Sequence, residues 1–269
     1  MSTDGALLTA SAGERALDRL VEARRTGSPC APVRDLLGLD GLTEAYAVQT
    51  AWVRSREQDG VRVIGRKIGL TNPAVQAQLG VDSPDYGFLL ADMEAVDGGE
   101  ADPAGLLQPR IEAEIAFVLG ADLDLPDPTA EDVRAATDHV RPALEIVDSR
   151  IAGWDIRLVD TVADNASAAG FVLGEQRTPL DGDLTAVLMT MDRNGERVSE
   201  GSGADCLGSP LLAVAWLARV SAGLGRPLRA GEIVLSGALG RVVDVRPGDA
   251  FSAELSGLGS VSVSFGGVR

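Results

Sequence analysis

Glu112 and Glu114 stand two apart in the run Ile111-Glu112-Ala113-Glu114-Ile115-Ala116-Phe117-Val118-Leu119, in which Ala113, Ile115, Phe117 and Leu119 hold the alternate positions. A strand sends residues i and i+2 to the same face, so both carboxylates would project together from a segment whose other face is apolar. Two readings fit this spacing: a pair of metal ligands, or a solvent-facing stripe on an edge strand. Glu145 shifts the balance. It interrupts the apolar run Ala143-Leu144-Glu145-Ile146-Val147, where a lone carboxylate carries a large desolvation cost unless it is paired, protonated or metal-bound. Three carboxylates brought together need a cation. The chain has one histidine, His139, and two cysteines, Cys30 and Cys206, too few for a nitrogen- or sulfur-rich zinc site. Oxygen-only ligation points to Mg2+ or Mn2+, with Ca2+ as a further fit.

Lys67 lies in Gly65-Arg66-Lys67-Ile68-Gly69-Leu70. A lysine in an apolar strand can have a lowered pKa and serve in proton transfer; a strand-end lysine in solvent is the plain alternative. Asp82 and Asp85 read first as turn residues in Val81-Asp82-Ser83-Pro84-Asp85-Tyr86-Gly87. The polar segment Asp160 to Ser167 is either a capped loop or a substrate-binding loop. His139 falls in an amphipathic segment, with no nucleophile motif beside it, and is expected at a surface or helix end. Gly65 and Gly69 do not form a nucleotide fingerprint, and no Walker motif is present.

The elements that must position these residues give an α+β pattern. Ser11 and Glu14 have capping-box spacing before a helix with Ala16, Leu17, Leu20 and Val21 on one face. Thr43 is expected to cap a second helix that Gly60 ends. From Val61 the texture becomes β-rich, in strands at Val61–Leu70, Glu112–Leu119, Pro142–Val147, Glu232–Ser236, Val242–Val245, Phe251–Leu255 and Ser260–Phe265. Inserted helices are expected after Asn72, over Thr129–Val140 and, capped by Ser209, over Pro210–Leu224. This suggests a helical N-terminal region over 1–60 and a β-rich core with inserted helices over 61–269. At 269 residues and 45% hydrophobic content the chain can bury a large core without staples. A net charge of −16 without a Lys/Arg cluster argues against nucleic-acid binding. No stretch reads as the ~18 apolar residues of a membrane helix, the first residues carry no basic, apolar leader, and two distant cysteines fit reduced thiols in the cytoplasm.

Several long runs together resemble one family: GRKIGLTNPAVQAQLGVDSPDYGFLLADM from Gly65, IEAEIAFVLG from Ile111, RPALEIVDSRIAGWDIRLVDTVADNAS from Arg141, and AGEIVLSGAL from Ala230. They are similar to the 2-hydroxypenta-2,4-dienoate hydratases (2-oxopent-4-enoate hydratases) and the related 4-oxalocrotonate decarboxylases, within the fumarylacetoacetase-like superfamily, and span about Leu42 to Phe265. The resemblance implies a helical N-terminal part packed on a mixed β-barrel-like core. It implies Mg2+ or Mn2+ held by Glu112, Glu114 and Glu145, with Lys67 and Asp85 as proton-transfer residues. It also implicates Ser167, Leu79 and Ser236 in binding a small 2-oxo or enol carboxylate. The family implies a homo-oligomer, and possible association of hydratase with decarboxylase. The same electron sink serves water addition to a 2-oxo-3-enoate or loss of CO2, so the resemblance leaves hydratase and decarboxylase both open. A C–C bond hydrolase of the superfamily ranks lower, because it needs a base to activate water and only His139 is present. A non-catalytic partner subunit has no use for the intact Lys67 and the three glutamates. Two departures from the family pattern stand out: Ser209 in place of a histidine in Gly208-Ser209-Pro210, and Arg241 at a position usually apolar or small, where it could bind an extra carboxylate if it faced the pocket.

Overall fold

The structure is a computed structural model and describes residues 10–71, 76, 83–102 and 105–267. The capping box at Ser11 and Glu14 forms, with Ser11 N donating to Glu14 Oε2 at 2.6 Å and Glu14 N to Ser11 Oγ at 3.2 Å. It starts α1 (Ala12–Thr26), which buries Ala16, Leu20 and Ala23. Val21, expected on that face, is 44% exposed. After α2 (Arg34–Leu37), α3 (Leu42–Gln58) begins beyond Gly41 rather than at Thr43, and its chain turns away at Gly60 with φ +86°. These helices do not pack by themselves. Ala16, Leu20, Val33, Ala45 and Val48 share a core with Ile151, Val159 and Val162. Arg34 Nη1 pairs at 2.6 Å with the fully buried carboxylate of Asp160.

The strands follow in chain order: β1 (Val63–Gly69), β2 (Asp85–Leu90), β3 (Glu94–Ala95), β4 (Glu100–Ala101) and β5 (Pro109–Leu119). Next come α4 (Ala130–Ala136), β6 (Thr137–Asp148), α5 (Leu158–Ala163), β7 (Ala168–Leu173), β8 (Leu188–Arg193) and β9 (Glu196–Ser202). Then α6 (Pro210–Gly223) leads to β10 (Ile233–Leu235), β11 (Val243–Asp244), β12 (Ala250–Leu255) and β13 (Gly259–Phe265). One sheet runs β2-β1-β10-β5-β6-β7-β3 with β11 on the start of β5; the other runs β4-β13-β12-β8-β9. The main core lies between them, with Ile115, Phe117, Leu144 and Ile146 of the first sheet packed with Met191, Phe251 and Val263 of the second and Val214 and Leu217 of α6. The stretch Gly203–Gly223 is long and apolar enough to cross a membrane by length and composition, which the sequence reading missed, but Leu211, Val214, Leu217 and Ala218 of α6 are buried in this core.

Two expectations are corrected, and a third is met in part. The helix expected over Thr129–Val140 stops at Ala136, and His139 lies in β6, 8% exposed, with Nδ1 2.7 Å from Asp138 Oδ2. The long strand β5 offers hydrogen-bonding partners back to Thr137, and this pairing outweighs the local helical spacing. Asp85 is no turn residue: it opens β2, opposite Gly69, and is 2% exposed. The barrel-like core is met in part: the first sheet curls as an open half-barrel, with β2 and β3 as its ends among the described residues. At the β2 end, the Asn165 side chain takes the place of a strand: Phe88 N donates to its Oδ1 at 2.8 Å, and its Nδ2 donates to Phe88 O at 3.0 Å.

Candidate metal centre

Register places the chemistry on one face of the first sheet. Glu112 lies directly opposite Glu145 across β5 and β6, and Glu114 opposite Ala143. Lys67 pairs with Leu235 of β10 on one side and Gly87 of β2 on the other; Leu235 pairs in turn with Ala116. Paired residues in a ladder, and residues two apart in a strand, share a face. So Lys67, Asp85, Glu112, Glu114 and Glu145 all point to the side that carries Ala116, Ala143, Phe171 and Leu235, away from the main core. The edge-strand reading of the glutamates fails, because β5 is flanked by β10 and β6.

The three glutamates each offer an oxygen within 4.8 Å of the others. Glu114 and Glu145 are fully buried and Glu112 is half-buried. Lys67 Nζ is 3.1 Å from Glu145 Oε1. One ammonium cannot neutralise three carboxylates and the neighbouring Asp85. Burial, with the charge of Glu145 next, pushes the Glu112 carboxyl up to about 7 against the pull of Lys67. Burial and the two other glutamates push Glu114 well above the usual carboxylate range, and burial raises Glu145 despite Lys67. Burial alone would lower Lys67, but Glu145, Asp85, Glu112 and Glu114 together hold it above its ordinary value. Glu114 Oε1 and Glu145 Oε2 are buried without a hydrogen-bond partner, and Glu145 Oε1 has only the Lys67 ammonium. Orphaned acceptors and surplus negative charge, with oxygen donors only, are the chemistry of a hard divalent cation's site.

Asp85 is built in by small neighbours. Thr161 Oγ1 donates to its Oδ2 at 3.3 Å, and its Oδ1 has no partner. A Cβ on Gly69 would stand 2.2 Å from that Oδ1 and 3.4 Å from Lys67 Nζ, so glycine is what lets the two side chains approach. Burial raises the Asp85 carboxyl, with Lys67 and Thr161 opposing.

The segment expected as a loop, Asp160–Ser167, is α5 followed by a buried turn. Asn165, Ala166 and Ser167 are three successive non-glycine residues at φ +56°, +50° and +56°, a left-handed run costing on the order of 1 kcal/mol per residue. Besides the Asn165 amide on Phe88, the clamp of Arg150 on Asp164 holds this turn: Arg150 N donates to Asp164 Oδ2 at 2.9 Å, Nη2 to its carbonyl at 2.6 Å, and Nε to Oδ1. A Cβ on Gly87 would lie 2.3 Å from Asn165 O and 3.3 Å from the Ala166 methyl, which places the turn beside the strand neighbour of Lys67. Ser167 ends it, buried, with an unpartnered Oγ. Ser236 is fully buried after β10, and its successor Gly237 donates its N–H to Glu114 Oε2 at 2.7 Å. Leu79 lies outside the described residues. Arg241 is exposed, and Ser209 is the half-buried N-cap of α6. Sequence reasoning missed Thr161 and Gly237; both sit inside the quoted runs, but neither residue type announces a role.

The family model for the fumarylacetoacetate (FAA) hydrolase C-terminal region matches residues 87–265. A 2-keto-4-pentenoate hydratase of Paraburkholderia xenovorans is 52% identical over 260 residues, 96% of each chain. A 2-hydroxyhexa-2,4-dienoate hydratase of Comamonas testosteroni is 46% identical over 250 residues, 92% of this chain and 95% of the relative. Among solved structures, the 4-oxalocrotonate decarboxylase of Pseudomonas putida G7, complexed with magnesium and adipate, superposes with a TM-score of 0.89 at 37% identity, covering 94% of this chain and 97% of that one. With the matched region covering most of both sheets and all three glutamates, the chain belongs to the fumarylacetoacetate hydrolase family.

Proposed function

We propose that this protein is a divalent-metal-dependent hydratase. It would convert a 2-hydroxy-2,4-dienoate, by way of its 2-oxo-3-enoate tautomer, into a 4-hydroxy-2-oxo acid. The single observation that carries the reading is the set of three clustered glutamates with orphaned oxygens beside the buried Lys67, which pairs with Glu145, and the buried Asp85. The hydratase names of relatives 46–52% identical over more than nine-tenths of the chain supply the reaction class. The magnesium in the decarboxylase neighbour supports Mg2+, with Mn2+ as its near equivalent. Glu112, Glu114 and Glu145 would hold the ion, which when bound supplies Lewis acidity for negative charge on the substrate's 2-oxygen.

The remaining steps belong to side chains. Lys67 is the proton carrier nearest the glutamates. In the bare cluster four carboxylates keep it charged; neutralising them lowers its pKa and frees it to exchange a proton. Asp85, raised by burial, is the second proton site and is oriented by Thr161. Ketonisation moves the 2-hydroxyl proton to C5. Water then adds its oxygen at C4 while C3 takes a proton, so the net change is one water. Ser167 and Ser236 are assigned to substrate binding, and Leu79 to the pocket by resemblance. Cys30 and Cys206, both free, suit a reducing cytoplasm.

The decarboxylase neighbour keeps one second reading open, loss of CO2 from a 4-oxalocrotonate-type acid. Both substrates should be followed side by side in ultraviolet absorbance, with Mg2+ and with chelator. Mg2+-dependent loss of the dienoate without gas supports the hydratase; CO2 release from 4-oxalocrotonate with the dienoate untouched overturns it.

A further inference from the structure

The peptide joining Ser236 to Gly237 is gripped from both sides. Its N–H donates to Glu114 Oε2 at 2.7 Å, and its carbonyl accepts from Cys206 Sγ at 3.0 Å. On either side the chain still follows β5: Ser236 N donates to Ile115 O at 3.1 Å and Leu239 N to Ala113 O at 3.0 Å. Gly237 and Ala238 therefore arch past Glu114 between those two bonds. The arch has no slack. Gly237 is at φ +108°, and a Cβ there would stand 2.4 Å from the Thr71 side chain. Cys206 is itself fully buried. Its N–H donates to Gly203 O at 3.2 Å, and the next residue, Leu207, donates to Thr71 O at 3.0 Å.

A peptide plane between two anchored ends has two orientations. In one, its N–H faces Glu114. In the other, its carbonyl oxygen does, against a carboxylate. The thiol on the carbonyl selects the first. With Oε2 taken by Gly237, Glu114 Oε1, buried and unpartnered, is the oxygen left over. We propose that Cys206 is a positioning residue for the metal centre, locking the Ser236–Gly237 peptide so that Glu114 presents Oε1 to the ion. The proposal rests on the metal-centre reading above. Burial raises the thiol to about 12, so it remains an S–H donor at neutral pH. Groups that orient metal ligands typically contribute 10–100-fold to affinity. One peptide further out, the effect should be smaller.

Mn2+ binding is measured by titration calorimetry on wild type, Cys206→Ala and Cys206→Ser, with thermal melts of each metal-free protein. Alanine, which has no donor, is expected to weaken Mn2+ binding about three- to tenfold, while serine, which keeps one, stays within about twofold of wild type. Equal affinity in all three, or equal loss in both variants, overturns the proposal, since a packing role would not tell a hydroxyl from a methyl. A second readout needs no change at Cys206. In a Cys30→Ser protein the one remaining thiol should show an S–H infrared band that shifts when Mn2+ is added; an unmoved band overturns the proposal. Wild type that binds Mn2+ without hydrating the dienoate removes the hydratase reading alone, whereas wild type that binds no Mn2+ removes the metal centre and this role with it.

Discussion

Replacing Glu112 with glutamine should shift stability in opposite directions with and without a divalent ion. In the metal-free fold the carboxyl rises from its ordinary 4.5 to about 7, mainly through burial and then the Glu145 charge. A folded value above the unfolded one favours the protonated fold. That stabilisation is complete below about pH 4.5 and is lost as pH rises through about 7. At 1.36 kcal/mol per pH unit the interval corresponds to about 3 kcal/mol, which the half-buried setting reduces to about 1–2 kcal/mol. Glutamine keeps the shape and removes the charge. At about pH 8 without metal, Glu112→Gln should therefore melt roughly 2–6 °C above wild type, and the gain should shrink towards pH 5. Mg2+ at a hundredfold excess over Kd adds about 2.7 kcal/mol to wild type. The variant, short of one ligand, should gain much less, so the order of melting temperatures reverses. Scanning calorimetry at both pH values, with Mg2+ and with chelator, reads this directly. A metal-free variant less stable than wild type at about pH 8, or equal Mg2+ gains for both proteins, refutes the reasoning.

Removing the Lys67 ammonium should separate chemistry from metal binding. Lys67→Met is expected to lose about 10²–10⁴-fold in turnover, while calorimetry finds Mg2+ bound at least as tightly, because a positive charge beside the glutamates is gone. Gly69→Ala puts a methyl where Asp85 Oδ1 now lies; turnover should fall at least tenfold with Mg2+ affinity within about threefold, and unchanged turnover would remove Asp85 from the proton path. Asn165→Ala strips Phe88 of both its backbone partners and should cost about 2–3 kcal/mol, seen as a melting temperature lower by roughly 4–10 °C. Apparent Mg2+ affinity should weaken as pH falls below about 7, as protons compete for Glu112, and calorimetry across pH 6 to 8 checks it.

The candidate metal ligands were legible because strand periodicity is strict. Glu112 and Glu114 had to share a face, and Glu145 in an apolar run needed a partner; what spacing could not give was the register that sets Glu145 directly opposite Glu112. The capping box of α1 and the Pro210 start of α6 were equally local signals. Errors came where distant pairing overrode local pattern. Thr137–Val140 has helical spacing but is drawn into β6 by the full length of β5, taking His139 with it. Asp85 looked like a turn residue beside Pro84, yet pairing with Gly69 makes it the buried start of β2. The Asp160–Ser167 segment has loop composition, but its polar groups are consumed internally: Asp160 by Arg34, Asp164 by Arg150 and Asn165 by Phe88. Strands β8 and β9 were not read at all, since their alternation is weak and broken by a register shift between Met191 and Asp192.

The central claim, that the glutamate-held centre adds water, is tested most directly by running the reaction in oxygen-18 water with 2-hydroxypenta-2,4-dienoate as substrate. With Mg2+, one heavy oxygen should appear at C4 of a 4-hydroxy-2-oxo product, and both chelator and Glu114→Gln should abolish its formation. A product without oxygen at C4, or the same labelled product formed at the same rate in chelator, contradicts the account.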